Sequence, residues 1–111
     1  MKYGNLKMAS LVSRYLSDII QLQLKKEIGI FSISRVVVSK DNAVAKIFFT
    51  CLGVSPEKVV ESLTLAKGFL RSELAKKLTT YKTPELNFIY DDSFEETKRI
   101  QKLIEEVNKK Q

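Results

Sequence analysis

From Met8 to Leu24 the apolar residues Met8, Leu11, Val12, Tyr15, Leu16, Ile19, Ile20 and Leu24 return at steps of three and four, with no proline or glycine among them. Side chains at that spacing share one face of an α-helix, so the chain must bury a long helical stripe against a broad partner surface. The helical stretch runs to Ile28 and stops at Gly29, after Lys25 and Lys26, whose charge suits the negative end of a helix dipole. The period then changes. Phe31 to Val38 is rich in β-branched residues and alternates, with Phe31, Ile33 and Arg35 or Val37 on one set of positions and Ser32, Ser34, Val36 and Val38 on the other. Ser39 to Asn42 supplies turn residues, and Ala43 to Leu52 is β-rich again, which predicts an antiparallel hairpin.

Beyond Gly53, Ser55 is a natural N-cap, with Pro56 at the first helical position and Glu57 near the positive dipole end. The stripe of this second helix reads Val59, Val60, Leu63, Ala66, Phe69, Leu70, Leu74 and Leu78. Gly68 interrupts it, at a cost of about 1 kcal/mol relative to alanine, and permits a kink. Thr79, Thr80 and Thr83 with Pro84 end the helix. Glu85 to Tyr90 reads as a third strand with Leu86, Phe88 and Tyr90 on one side. Ser93 and Glu96 have capping-box spacing before a last helix carrying Phe94, Ile100, Leu103, Ile104 and Val107. The order α-β-β-α(kink)α-β-α predicts an α+β fold, a three-stranded sheet with helices packed on one face and the other face open.

At 111 residues the chain fits one domain spanning 1–111, with an ordered core of about 6–108. Histidine is absent, which removes the side chain best suited to proton transfer near neutrality and the commonest metal ligand. Cys51 is the single cysteine, so no internal disulfide can form, and at the end of an apolar run it reads as a small buried hydrophobe. No apolar stretch reaches the roughly 20 residues that span a bilayer, and Met1 to Ser13 lacks the apolar core of a secretory leader, so a cytoplasmic location is expected. No cofactor, metal or small-molecule substrate is expected.

The formal charge is +6 and the pI near 9.5, which favours an anionic partner. The charge concentrates between Ala66 and Lys82, where Lys67, Arg71, Lys76, Lys77 and Lys82 face a single acid, Glu73. On a helix, Lys67, Arg71 and Lys76 or Lys77 can project opposite the leucine stripe as a ridge that follows a phosphate backbone; a solvated helix face is the alternative. A break at Ala66-Lys67-Gly68 would free backbone N–H groups for phosphate, and tight helix-to-sheet packing is the competing reason for Gly68. Arg35 and Lys46 each interrupt an apolar strand and are expected on the exposed sheet face. Of the four tyrosines, Tyr81 between Thr80 and Lys82 is the one placed for contact, while Tyr15 and Tyr90 follow core patterns.

Taken in order, ISRVVVSKD (Ile33 to Asp41), AKIF (Ala45 to Phe48), AKGFLRSEL (Ala66 to Leu74), TPELNF (Thr83 to Phe88) and DDS (Asp91 to Ser93) resemble the ribosome-binding factor A family of bacterial assembly factors, over about Ser13 to Val107. The resemblance implies a type II KH-like fold in which an interhelical Ala-x-Gly kink, here Ala66-Lys67-Gly68, replaces the usual Gly-x-x-Gly loop. It also implies binding to the 30S ribosomal subunit through 16S rRNA, help with late maturation and rRNA processing, no catalysis, and a link to growth in the cold. The sequence departs from the family pattern at Asn42 and Ala43, where a leucine and a basic residue are usual, and at Tyr81, Lys82 and Thr83, where arginine is usual.

Two further readings compete. One is a non-catalytic protein-interaction module using the open sheet face or the terminal helix. The other is a metal-dependent nuclease using Asp91, Asp92 and Glu95, although helix capping accounts for those acids. A monomer is expected, because one core should absorb the apolar stripes.

Overall fold

The computed structural model describes residues 6–79, 81–93 and 102–107. Seven elements occupy residues 6–90: α1 (Leu6–Gln23), α2 (Lys25–Ile28), β1 (Ile30–Val38), β2 (Val44–Leu52), α3 (Pro56–Leu65), α4 (Lys67–Lys77) and β3 (Glu85–Tyr90). Residues 102–107 are also helical. The strands form one sheet in the order β1-β2-β3, with β1 antiparallel and β3 parallel to β2. A parallel neighbour requires a crossover, and α3 and α4 supply it. With α1, α3 and α4 packed on the sheet, the arrangement is the expected type II KH-like α+β fold.

The core lies between this helical layer and the inner face of the sheet. Val12, Leu16 and Ile20 of α1, Ala45, Ile47 and Phe49 of β2, Leu63 of α3, Leu70 and Leu74 of α4 and Leu86 of β3 are fully buried. Phe49 stacks on Phe31 at 5.2 Å between ring centroids and meets the edge of Tyr90 at 5.8 Å, which joins all three strands and bears out the inward reading of Tyr90. No polar or charged side chain is buried among the described residues. The fold therefore rests on apolar burial and paired backbone.

Three local readings are corrected. The first helix is not continuous to Ile28, because Leu24 takes φ −122° between α1 and α2 and redirects the chain toward β1. Strand β1 does not alternate throughout. Its register shifts between Ile33 and Arg35, so Ser34 is the extra residue of a β-bulge, and Val36 and Val38 rather than Arg35 and Val37 continue the inward set begun by Phe31 and Ile33. Phe69 is 45% exposed instead of joining the core stripe, because at 100° per residue it lies a quarter-turn or more from the Leu70, Leu74 and Leu78 side that faces inward.

The turns follow from local chemistry. Asn42 takes φ 59°, a left-handed conformation that asparagine tolerates better than most residues other than glycine. The Ser39 hydroxyl donates to the Asp41 carboxylate at 2.8 Å and accepts from the Ala43 and Val44 N–H groups, closing the hairpin. Gly29 adopts φ 65° and ψ −142°, and a Cβ there would lie 2.7 Å from the Leu52 carbonyl oxygen, so only glycine fits. The Ser55 hydroxyl accepts from the Lys58 N–H and caps α3, as its sequence indicates. The capping box through Glu96 lies outside the described residues. Within them, the Ser93 N–H donates to the Asp91 carboxylate at 3.0 Å.

Candidate nucleic-acid interface

Helix α4 turns Leu70 and Leu74 into the core, and this packing places Arg71, Lys76 and Lys77 in solvent, with Lys67 half-buried. The four cations do different things. The Arg71 guanidinium donates to the Thr83 carbonyl at 2.9 Å and fastens the loop that leads into β3. Lys76 pairs with Glu73 one turn back at 2.6 Å, an exposed contact of small net worth that a phosphate could displace. No ion pair engages Lys77 among the described residues, and Lys82 and Tyr81 are exposed in the loop held by Arg71.

The break between α3 and α4 falls at the expected place. Ala66 has φ −88° and ψ 2°, its N–H bonds to the Ser62 carbonyl at 3.1 Å, and its carbonyl accepts from Leu70 at 2.9 Å. No side chain caps the N-terminus of α4. Gly68 is exposed, and a Cβ built on it would touch nothing within 4 Å. This rules out tight packing as the reason for the glycine. It leaves the first N–H groups of α4 open to close approach by an anion.

Arg35 and Lys46 lie on the open face of the sheet. The bulge turns Ser34 and Arg35 to that side together, opposite Phe48, and the Arg35 guanidinium stacks 4.1 Å from the Phe48 ring centroid. Lys46 stands between Val37 and Asn87 in the cross-strand row. The helical layer covers the other face, so the sheet separates these two cations from those of α4, and the seven candidates do not form one patch.

The topology also brings in a residue that sequence reasoning missed. The Glu85 N–H donates to the Ala43 carbonyl at 2.9 Å, which sets the start of β3 beside the hairpin turn and brings Lys82 near Asp41. Exposed Lys40 in that turn therefore belongs to the same end of the molecule as the loop leaving α4. Only the parallel pairing of β2 with β3 reveals this. The Asp41 carboxyl is held below its ordinary value, first by the Ser39 hydroxyl, then by the Ala43 N–H, with a smaller contribution from Lys82.

At the other end, Asp91 faces the open side of the sheet. Its Oδ2 lies 2.8 Å from the Ser34 hydroxyl and its Oδ1 accepts from the Ser93 N–H. Bonds from the Ser93 hydroxyl and N–H, then from Ser34, lower its pKa, and Arg35 adds to the effect. Asp91 is thus committed to structure. Asp92 is exposed, Glu95 lies outside the described residues, and among the described residues no three metal-binding side chains converge.

A sequence profile described as ribosome-binding factor A matches residues 5–104. The chain belongs to that family. It is 36% identical over 104 residues to the ribosome-binding factor A of Paraburkholderia phytofirmans, covering 94% of this chain and 86% of the relative. It is 38% identical over 105 residues to that of Burkholderia cenocepacia, covering 94% and 80%. The crystal structure of ribosome-binding factor A from Thermus thermophilus superposes with a TM-score of 0.71 at 23% identity, over 79% of this chain and 97% of that one. Coordinates of the Thermus thermophilus factor fitted into a cryo-EM map of a 30S complex match with a TM-score of 0.65 at 20% identity, over 76% and 91%. The fold is shared with both. The uncapped break at Ala66, with Gly68 exposed two residues on, stands where the resemblance places an interhelical kink.

Proposed function

We propose that this member of the ribosome-binding factor A family binds the 30S subunit through 16S rRNA in the cytoplasm and assists its late maturation and rRNA processing. It does so as a single KH-like domain over residues 1–111, as a monomer and without catalysis. The observation that carries this reading is the uncapped break at Ala66, with the exposed Gly68 beside it, continued by the exposed cations of α4 and the loop after it. Backbone N–H groups at a helix start and long-chain cations beside them are what a phosphate backbone needs, and neither requires a base-specific pocket. Lys67, Arg71, Lys76, Lys77 and Lys82 form the principal contact, with Lys40 extending it. Arg35 and Lys46 bind a second segment of RNA across the open sheet face. The 30S complex of the Thermus relative supports the partner assigned here.

The test is sedimentation of the tagged protein from cell lysate on sucrose gradients at low and high salt. Comigration with free 30S subunits that is lost at high salt is expected. Absence from ribosomal fractions at both salts would overturn the proposal in favour of a protein-interaction module.

A further inference from the structure

Two uncovered apolar surfaces lie within reach of each other. The first is a groove of about 740 Å3 between the end of α1 and the start of β1, walled by Ile20, Ile28, Phe31 and Ile33. Ile30 and Leu52, 72% and 69% exposed, stand at its rim, and Lys25 is the cation lining it. The second is the helical segment 102–107, where Leu103, Ile104 and Val107 are each more than half exposed. Their spacing puts the three on one helix face, and at 100° per residue Glu106 borders that face.

The chain's course joins the two surfaces. On leaving β3, Asp91 is fastened to Ser34, the residue next to the groove wall at Ile33. The terminal segment therefore starts on the open side of the edge strand β1 and has only that strand to round before it reaches the groove. The nine residues from Ser93 to Lys102 can reach at most about 30 Å, more than twice the roughly 13 Å spanned by the four β1 residues that line the groove. Because this stretch ties the helix to the same molecule, docking there is intramolecular, which favours the chain's own helix over a free competitor.

We propose that the terminal helix seats its Leu103, Ile104 and Val107 face in the α1–β1 groove of the same molecule, with Glu106 meeting Lys25. The groove is then a self-covered docking surface, and any partner that uses it must displace the helix. It sits at the end of the sheet away from Lys40 and Lys82, so covering it leaves the rRNA contact of α4 free.

Methyl NMR of the full chain tests this, comparing the wild type with Leu103→Glu/Ile104→Glu and with Lys25→Glu. All three positions are exposed, so the domain should fold, and an unchanged Ile47 resonance checks that it has. In the double variant the methyl resonances of Ile20, Ile28, Ile30 and Ile33 should move, and Lys25→Glu should move them part of the way. The wild-type positions should not change on dilution. Groove resonances identical in wild type and double variant would overturn the proposal. So would wild-type positions that drift toward those of the variant on dilution, since the occupant would then be a second copy.

Discussion

The two ends of the sheet are made from the same three strands yet carry opposite surfaces. Where β2 and β3 begin, the hairpin turn and the loop out of α4 display Lys40, Tyr81 and Lys82. Where β1 begins and β2 and β3 end, Ile30 and Leu52 are exposed and Asp91 and Asp92 follow. A partner at the first end is held by charges that salt screens, whereas one at the second is held by apolar area that salt does not weaken. Substitutions at either end should therefore be separable by their readout.

The largest effect is expected from Gly29→Ala, at the apolar end. The positive φ and the approach of the Leu52 carbonyl together should cost about 2–4 kcal/mol in urea unfolding, while the salt dependence of rRNA binding by the folded protein stays as in the wild type. A changed slope would show that the two ends are coupled. Next is Lys76→Ala/Lys77→Ala, which should lower the slope of log K against log salt by about 0.7–0.9 for each phosphate that is no longer neutralised. Its stability should stay within about 0.5 kcal/mol of wild type. An unchanged slope would move the footprint away from the end of α4.

Gly68→Ala sharpens the contrast between the two glycines. Nothing crowds a Cβ at residue 68, so stability should hold or rise by up to about 1 kcal/mol. Binding to rRNA should nonetheless weaken by roughly fivefold, about 1 kcal/mol, if phosphate approaches the backbone there. Undiminished affinity in a filter-binding assay would place the phosphate elsewhere. The smallest effect concerns pH. The Asp91 carboxyl titrates below its ordinary value of 3.8 in the folded chain. Its stabilising contribution is therefore fully present above that value and is lost as pH falls through the lower folded one. The stability gap between wild type and Asp91→Ala should be constant near neutrality and close in acid, which denaturant titrations at several pH values would show.

Element types were readable because period and punctuation agree. The switch from helical to alternating spacing at Gly29, the Ser55-Pro56 cap and the run from Glu85 to Tyr90 each carry a local physical cause, and the structure has all of them. What escaped depends on geometry that spacing does not encode. One residue of bulge at Ser34 reverses the inward set of β1. The α4 cations were nameable from charge density, and Arg35 and Lys46 from their interruption of apolar strands, which also placed them on the open sheet face; the arrival of Lys40 at the same end as Lys82 was not legible. The apolar stripes were expected to vanish into one core, and at the Ile30–Leu52 end they do not.

The bulge also has a genetic reading. Removing the single codon for Ser34 would leave Phe31, Ile33, Val36 and Val38 on their present side and Arg35 and Val37 on theirs, because plain alternation without residue 34 gives the same two sets. The sheet therefore has no need of this residue for sorting its side chains, and a variant shortened by one should still assemble it. What the deletion would remove is the hydroxyl that holds Asp91. In that respect Ser34 is a fitting added for the departing chain, dispensable to the strand that contains it.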